Sequence, residues 1–251
     1  MNKFIKTEFI KEKRSDNSKL IKIVPLIFII FTSLVVLLMV RSIENKSYLL
    51  AAAYNWYPIL ILPIILSLLV VNIIVKEKDY HINLYKSLGL NKEKVIWAKV
   101  IVVTRHLFII LVISGLLLYI VGKFMLQENV YFIDIVKATF VTFIGSLPII
   151  SFSFLLMVAF GKNFIVYIAN FILSLLGPII AIKNYWLIYP HSYTFRMLAP
   201  AINLNPNGIF LEKGSYLANP SAIYIGMILS PIIFTFTMIF SSKIYVRNNN
   251  D

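Results

Sequence analysis

The residues able to do chemistry are few and far apart. His81, His106 and His191 fall in three separate stretches, so no two share a helix face at the spacing of a two-histidine metal site. The chain has no cysteine, which excludes disulfides, thiol nucleophiles and Cys-ligated metals. Gly161-Lys162-Asn163 contains a Gly-Lys dipeptide. It lacks the upstream glycine and the Ser/Thr of a phosphate-cradling loop, so no nucleotide site of that kind is expected. Every Asp and Glu lies outside the long apolar runs. An intramembrane hydrolase, or a transporter driven by protons or sodium, would place an acid at mid-membrane. Arg105 and His106 are, tyrosines aside, the ionisable side chains well inside a run. They sit within about two turns of its polar end. Arg105 reads as a side chain that snorkels to headgroups or caps a neighbour's carbonyls, or else as a functional contact.

The elements that must carry these residues are membrane spans. Of 251 residues 59% are hydrophobic and 14% charged, and mean hydropathy is +0.84. A soluble domain of that composition could not cover its surface with polar groups. The reading is an all-α integral membrane protein. Six runs approach the ~20 residues that cross a bilayer: about 21–40, 57–75, 100–121, 138–160, 164–182 and 222–240. Pro58, Pro63, Pro148, Pro178 and Pro231 fall inside them, where neighbouring helices can satisfy the freed backbone groups. Gly145, Ser146, Ser151 and Ser153 suit close helix packing. Asp134 and Lys137 are spaced as an i,i+3 pair at an interface.

The net charge of +13 is set beside the spans, which points to topology and anionic lipid rather than nucleic acid. With the N-terminus inside, the inner segments 1–22, 76–99, 161–163 and 241–251 carry 16 Lys and Arg, and the outer loops 41–56, 122–137 and 183–221 carry 7. That bias puts both termini in the cytoplasm of a multi-pass cell-membrane protein. The N-terminal stretch has no small-residue cleavage site after a short apolar core, so a removed signal peptide is not expected. Residues 1–20 carry Met1, Phe4, Ile5 and Phe9 on a narrow stripe among lysines. They read as an interfacial helix or as a disordered basic tail.

Two segments outside the spans stand out. The island Lys76–Lys99 has Ile82, Tyr85 and Leu88 at three-residue spacing, Asp79 to cap a helix and Gly89 to end it in a left-handed residue. Asn91 can cap the next helix. The island is a short amphipathic helix on the membrane surface, or a solvated loop. Segment 183–221 is aromatic, with Tyr185, Trp186, Tyr189, Tyr193 and Phe195. It folds back over the outer mouth of the bundle, either as an interfacial belt or as a surface that meets a substrate.

Three groups of residues carry a resemblance. Asn55-Trp56-Tyr57-Pro58 opens the second span. Glu77-Lys78, Ser87-Leu88-Gly89 and Trp97-Ala98-Lys99 frame the island. Pro190-His191-Ser192-Tyr193 lies in the last outer loop. With the six-span layout they resemble the ABC-2 type exporter permeases, most closely the lantibiotic immunity (self-protection) permeases of Gram-positive bacteria. The chain departs from that family at His191, where a Trp is usual, and at Gly89, where a Pro usually follows the leucine. The resemblance implies a single ABC-2 type transmembrane domain over 1–251, with an N-terminal interfacial helix and a cytoplasmic coupling helix between spans two and three. It implies a transport subunit that is not itself an enzyme and holds no cofactor. A separate ABC ATPase carries the ATP and Mg, and a second permease subunit pairs as homo- or heterodimer. The cargo is an amphipathic peptide drawn from the membrane lipids. Coupling would fall to Glu77, Tyr85, Lys86, Leu88 and Gly89, and substrate release to Trp186, Tyr189 and Tyr193. Another amphiphile, a drug or lipid, or a scaffold or sensor that transports nothing, are the alternative functions.

Overall fold

A computed structural model describes residues 1–39, 46–77, 85 and 87–248. Among these residues the chain is helical without a β-strand, and six helical stretches are long and apolar enough to span a membrane: Asp16–Leu37, Tyr48–Val75, Lys92–Met125, Phe132–Phe160, Asn163–Ala181 and Ser221–Asn248.

The N-terminal stretch forms a helix, α1 (Asn2–Glu12), ahead of the first span, α2 (Asp16–Leu37). Ser15 caps α2 by accepting from the Ser18 N–H. The second span starts earlier than its prolines suggest. It opens at α3 (Tyr48–Trp56), passes through a π turn at Tyr57–Ile61 and continues as α4 (Leu62–Val75). Ser47 caps α3, and the Glu128 carboxylate reinforces it by accepting from Ser47 Oγ at 2.7 Å and the Leu49 N–H at 2.9 Å. The π turn absorbs the missing N–H groups of Pro58 and Pro63, so the prolines modulate the span instead of starting it.

The third span, α5 (Lys92–Ile120), is capped by Asn91 Oδ1 on the Lys94 N–H at 3.0 Å. Its first two turns come from the polar island. Then follow α6 (Phe132–Phe160), α7 (Asn163–Ala181), the short α8 (Tyr193–Ile202) and α9 (Ser221–Asn248).

The interior is continuous and tightly filled. Leu62, Leu66, Leu69 and Ile73 of α4 pack with Ile96, Val103, Leu107 and Ile110 of α5 and Ile150 and Phe154 of α6. Large apolar side chains also cover the outside, including Ile27, Ile30, Ile228 and Phe236. A water-facing surface would not carry them, and a bilayer would. Asn17 pins α2 to α4: its Nδ2 donates to the Leu69 carbonyl at 3.1 Å, and its Oδ1 accepts from Asn72 at 3.0 Å.

Candidate functional site

At the end of the bundle where α1 packs and α9 finishes, four elements converge on a buried cluster of charges. Lys99, on the second turn of α5, is 1% exposed. Its ammonium has three donors and uses all three, on Glu8 Oε2 at 3.2 Å, Glu77 Oε1 at 3.1 Å and the Ile73 carbonyl at 3.1 Å. Glu77 lies two residues past the end of α4. Its carboxylate also accepts from the Tyr85 hydroxyl at 2.9 Å and, on Oε2, from the Tyr245 hydroxyl of α9 at 2.7 Å. Lys11 of α1 completes the balance, at 2.5 Å from Glu8 Oε1 and 2.6 Å from the Tyr85 oxygen. Two carboxylates thus face two ammonium groups.

The helical period explains the arrangement. Glu8, Lys11 and Glu12 recur at three and four residues, so α1 presents one charged face to the bundle. Glu12 is buried as well, holding Ser15 Oγ at 2.7 Å and Lys76 Nζ at 3.4 Å. Lys76 Nζ also donates to the Lys11 carbonyl. Burial raises the Glu77 carboxyl pKa, but the Lys99 charge and the hydrogen bonds from Tyr245, Lys99 and Tyr85 outweigh it and hold the group below its ordinary value. Burial, and next the Glu77 charge, push the Tyr85 hydroxyl up, so it stays a donor.

Glu77 and Tyr85, two of the expected coupling residues, therefore face inward. Tyr85 is tied to the bundle through its hydroxyl, on Glu77 and Lys11. Leu88 is 62% exposed. Gly89 has φ 59°, the left-handed conformation that favours glycine. Lys86, with most of the island's expected helix, lies outside the described residues. Arg105 reaches α1, its guanidinium 4.7 Å from the Phe9 ring centre.

A second constellation lies inside the bundle. Asn170 of α7 is fully buried, and its Nδ2 donates to Ser67 Oγ of α4 and Ser153 Oγ of α6, each at 2.8 Å. Its Oδ1 lies 3.3 Å from His191 Nε2. Three spans and the segment after α7 meet at one amide. His191 is wedged edge-on against Phe152, with ring centres 5.8 Å apart.

Segment 183–221 does more than cover the bundle's mouth. It enters it. Tyr193, Thr194, Phe195, Met197, Leu198 and Ala199 of α8 are all buried. Small residues make the room: a Cβ on Gly145 of α6 would meet the Thr194 backbone nitrogen at 2.9 Å. Trp186 and Tyr193 are likewise buried and pack edge-on, with centres 5.5 Å apart. The Tyr193 hydroxyl donates to the Leu187 carbonyl at 2.5 Å and the Tyr189 hydroxyl to the Leu173 carbonyl at 2.7 Å. Arg196, also buried, donates to the Leu217 carbonyl at 3.0 Å and lies 5.9 Å from the Trp186 and Tyr216 ring centres. Of the residues expected at substrate release, Trp186 and Tyr193 hold this segment in place, and Tyr189 is half-buried.

Sequence reasoning passed over Glu8, Glu12, Asn170, Ser67, Arg196 and Tyr245. Two signals were present. Glu8 and Glu12 are acids one turn apart in a basic stretch, and Asn170 is the one amide in the run 164–182.

A family model described as ABC-2 family transporter protein matches residues 4–180, from α1 to the end of α7. No curated protein and no solved structure matches the chain. The matched stretch holds Glu8, Lys11, Glu77, Lys99 and Asn170, and it covers well over half of the sequence. The chain belongs to the ABC-2 family of transporter proteins.

Proposed function

We propose that the chain is the membrane-spanning subunit of an ATP-driven exporter that expels an amphipathic, lantibiotic-like peptide from the membrane. Its family is one of transport subunits that work with an ABC ATPase. The carrying observation is the buried cluster at Lys99. The connection from α4 to α5 is anchored at Glu77, Tyr85 and Lys99 to α1 and α9. A push on Leu88 or Gly89, exposed beside that anchor, would reach four elements together. A solvated loop would absorb it. The Lys/Arg bias supports placing this end in the cytoplasm, where an ATPase binds.

Export of a peptide, and not of a drug or lipid, rests on the resemblance to the immunity permeases. In this reading the segment around α8 fixes the shape of the outer exit, with Trp186 and Tyr193 as its frame and Tyr189 at its edge. The test is purification of the tagged chain from its native membranes, followed by nucleotide hydrolysis and peptide-protection assays. An ABC ATPase should co-purify, hydrolysis should require it, and cells lacking the chain should be sensitised to one class of amphipathic peptide. Leu88→Ala and Gly89→Pro should weaken the association, since proline cannot take the positive φ at 89. Wild-type association and protection in both variants would move the contact elsewhere on the inner surface.

A further inference from the structure

The two faces of α1 differ in one respect that bears on what they bind. Toward the bundle, Lys11 is paired with Glu8, as are Lys99 with Glu8 and Glu77 and Lys76 with Glu12. On the other side, Lys6 of α1, Lys13 just after it and Arg105 of α5 line one groove of about 820 Å³. None of these three has a carboxylate partner among the described residues. Glu12 touches the same groove, but its carboxylate is taken by Ser15 and Lys76. The Arg105 guanidinium is held over the Phe9 ring, which fixes a planar, always-charged donor at the rim.

Asn2, Ser18 and His106 add polar groups to the lining, and Ile5, Phe9 and Ile109 supply an apolar wall. The depth is also set. Glu8 meets Lys99 and Phe9 meets Arg105, so α1 crosses α5 between those two positions. The turns Lys92–Ala98 lie beyond it on the polar side, and the charge-free, mainly apolar stretch 107–121 begins on the other. The groove therefore sits at the level where headgroups give way to hydrocarbon. Ile10 of α1 and Phe108 of α5, beside it, are 64% and 44% exposed.

We propose that this groove binds an anionic phospholipid, its phosphate against Arg105, Lys6 and Lys13 and its acyl chains running past Ile109 along α5. Three uncompensated cations above an apolar wall are complementary to an anionic head carrying tails. A peptide helix would find no row of pockets here, and a free phosphate would leave Ile5, Phe9 and Ile109 without an occupant. The bound lipid would hold α1 against α5 and, through Glu8, keep the buried cluster assembled. The ATPase-coupling reading is not needed for this.

The test is thermal unfolding of the purified chain in neutral detergent, titrated with phosphatidylglycerol or phosphatidylcholine. Native mass spectrometry counts the retained lipid. Phosphatidylglycerol should raise the unfolding midpoint of the wild type and phosphatidylcholine should not. Each of Lys6→Gln, Lys13→Gln and Arg105→Gln should weaken phosphatidylglycerol binding about fivefold, the worth of one basic residue at a membrane surface. Arg105→Lys should keep most of the binding. Equal shifts with both lipids, or wild-type lipid retention in the triple variant, would overturn the proposal. An equal shift with inorganic phosphate would reassign the groove to a free anion. Should the triple variant not fold, lipid counts on the single variants decide the matter.

Discussion

The two ends of the bundle are held by opposite means. At the charged end, α1, α4 and α5 are joined by a few buried ionic contacts, and α9 by the Tyr245 hydroxyl donating to the Glu77 carboxylate. At the other, α8 is held between α6, α7 and α9 by close packing of small against large side chains. Buried ion pairs are worth little net against the cost of desolvating them, but losing one partner is severe. Close packing fails in smaller steps, as each misfit is spread over neighbours. The charged end can thus change state when one partner moves, and the packed end is suited to keep its shape. The proposed function, export driven from one side, calls for both properties, the first where the proposed push arrives.

The largest expected break of this contrast is Lys99→Met. It leaves Glu8 and Glu77 buried with Lys11 alone, and should cost about 3–5 kcal/mol. The measurement is folded yield and unfolding midpoint in detergent. Adding Glu8→Gln should recover part of the loss, because it removes one uncompensated carboxylate. An unchanged midpoint in Lys99→Met would mean that the cluster does not hold the end together.

The next effect is in the packed end. Gly145→Ala should cost about 1–3 kcal/mol, because the new methyl meets the Thr194 backbone and α8 must shift. Gly226→Ala of α9 finds its three nearest atoms all in the Met197 side chain, which Gly145→Ala touches as well. A thioether chain is flexible, so the loss should be smaller. Equal losses would show that Met197 yields no more than the Thr194 backbone does.

Asn170→Leu should be milder still, about 1 kcal/mol, in line with hydrogen bonds between helices in membranes. Ser67 and Ser153 keep their bonds to the Pro63 and Ile149 carbonyls, so only the amide's own links are lost. A loss as large as that of Lys99→Met would make Asn170, and not the ionic cluster, the centre of the bundle.

How much of this was legible in the sequence follows from separation along the chain. The six spans come from runs of apolar residues, which are local, and they are found. Their ends are less so. Asn91 reads as a cap, yet the polar residues after it read as part of the island although they form the first turns of α5. The apolar pattern places Tyr48–Trp56 in the outer loop 41–56, and the π turn that carries the helix on past the prolines has no local signature. The site is less legible still. Glu8 and Lys99 are 91 residues apart, and no spacing rule joins them. Burial of α8 depends on glycines in α6 and α9, so its aromatics read from sequence as a surface.

Acidification sharpens the comparison most, since acid should act on the charged end and spare the packed one. Glu77 has its carboxyl pKa held below the ordinary value of 4.5. Its ionised form is therefore favoured in the folded state over the unfolded one. That contribution is fully present above the unfolded pKa and is lost as pH falls through the folded one. The Tyr85 hydroxyl is one of the groups that lower it. Tyr85→Phe removes that donor and keeps the ring, at a cost of about 1–2 kcal/mol near neutral pH. It should also raise the Glu77 pKa, so the acid-side fall in unfolding midpoint should begin at a higher pH than in the wild type. Tyr193→Phe, whose hydroxyl donates only to the Leu187 carbonyl, should lower the midpoint by a similar amount at every pH. The readout is midpoint against pH for the three proteins. Parallel curves for wild type and Tyr85→Phe would separate Tyr85 from the ionisation of Glu77, and the island would then be held by packing, as the other end is.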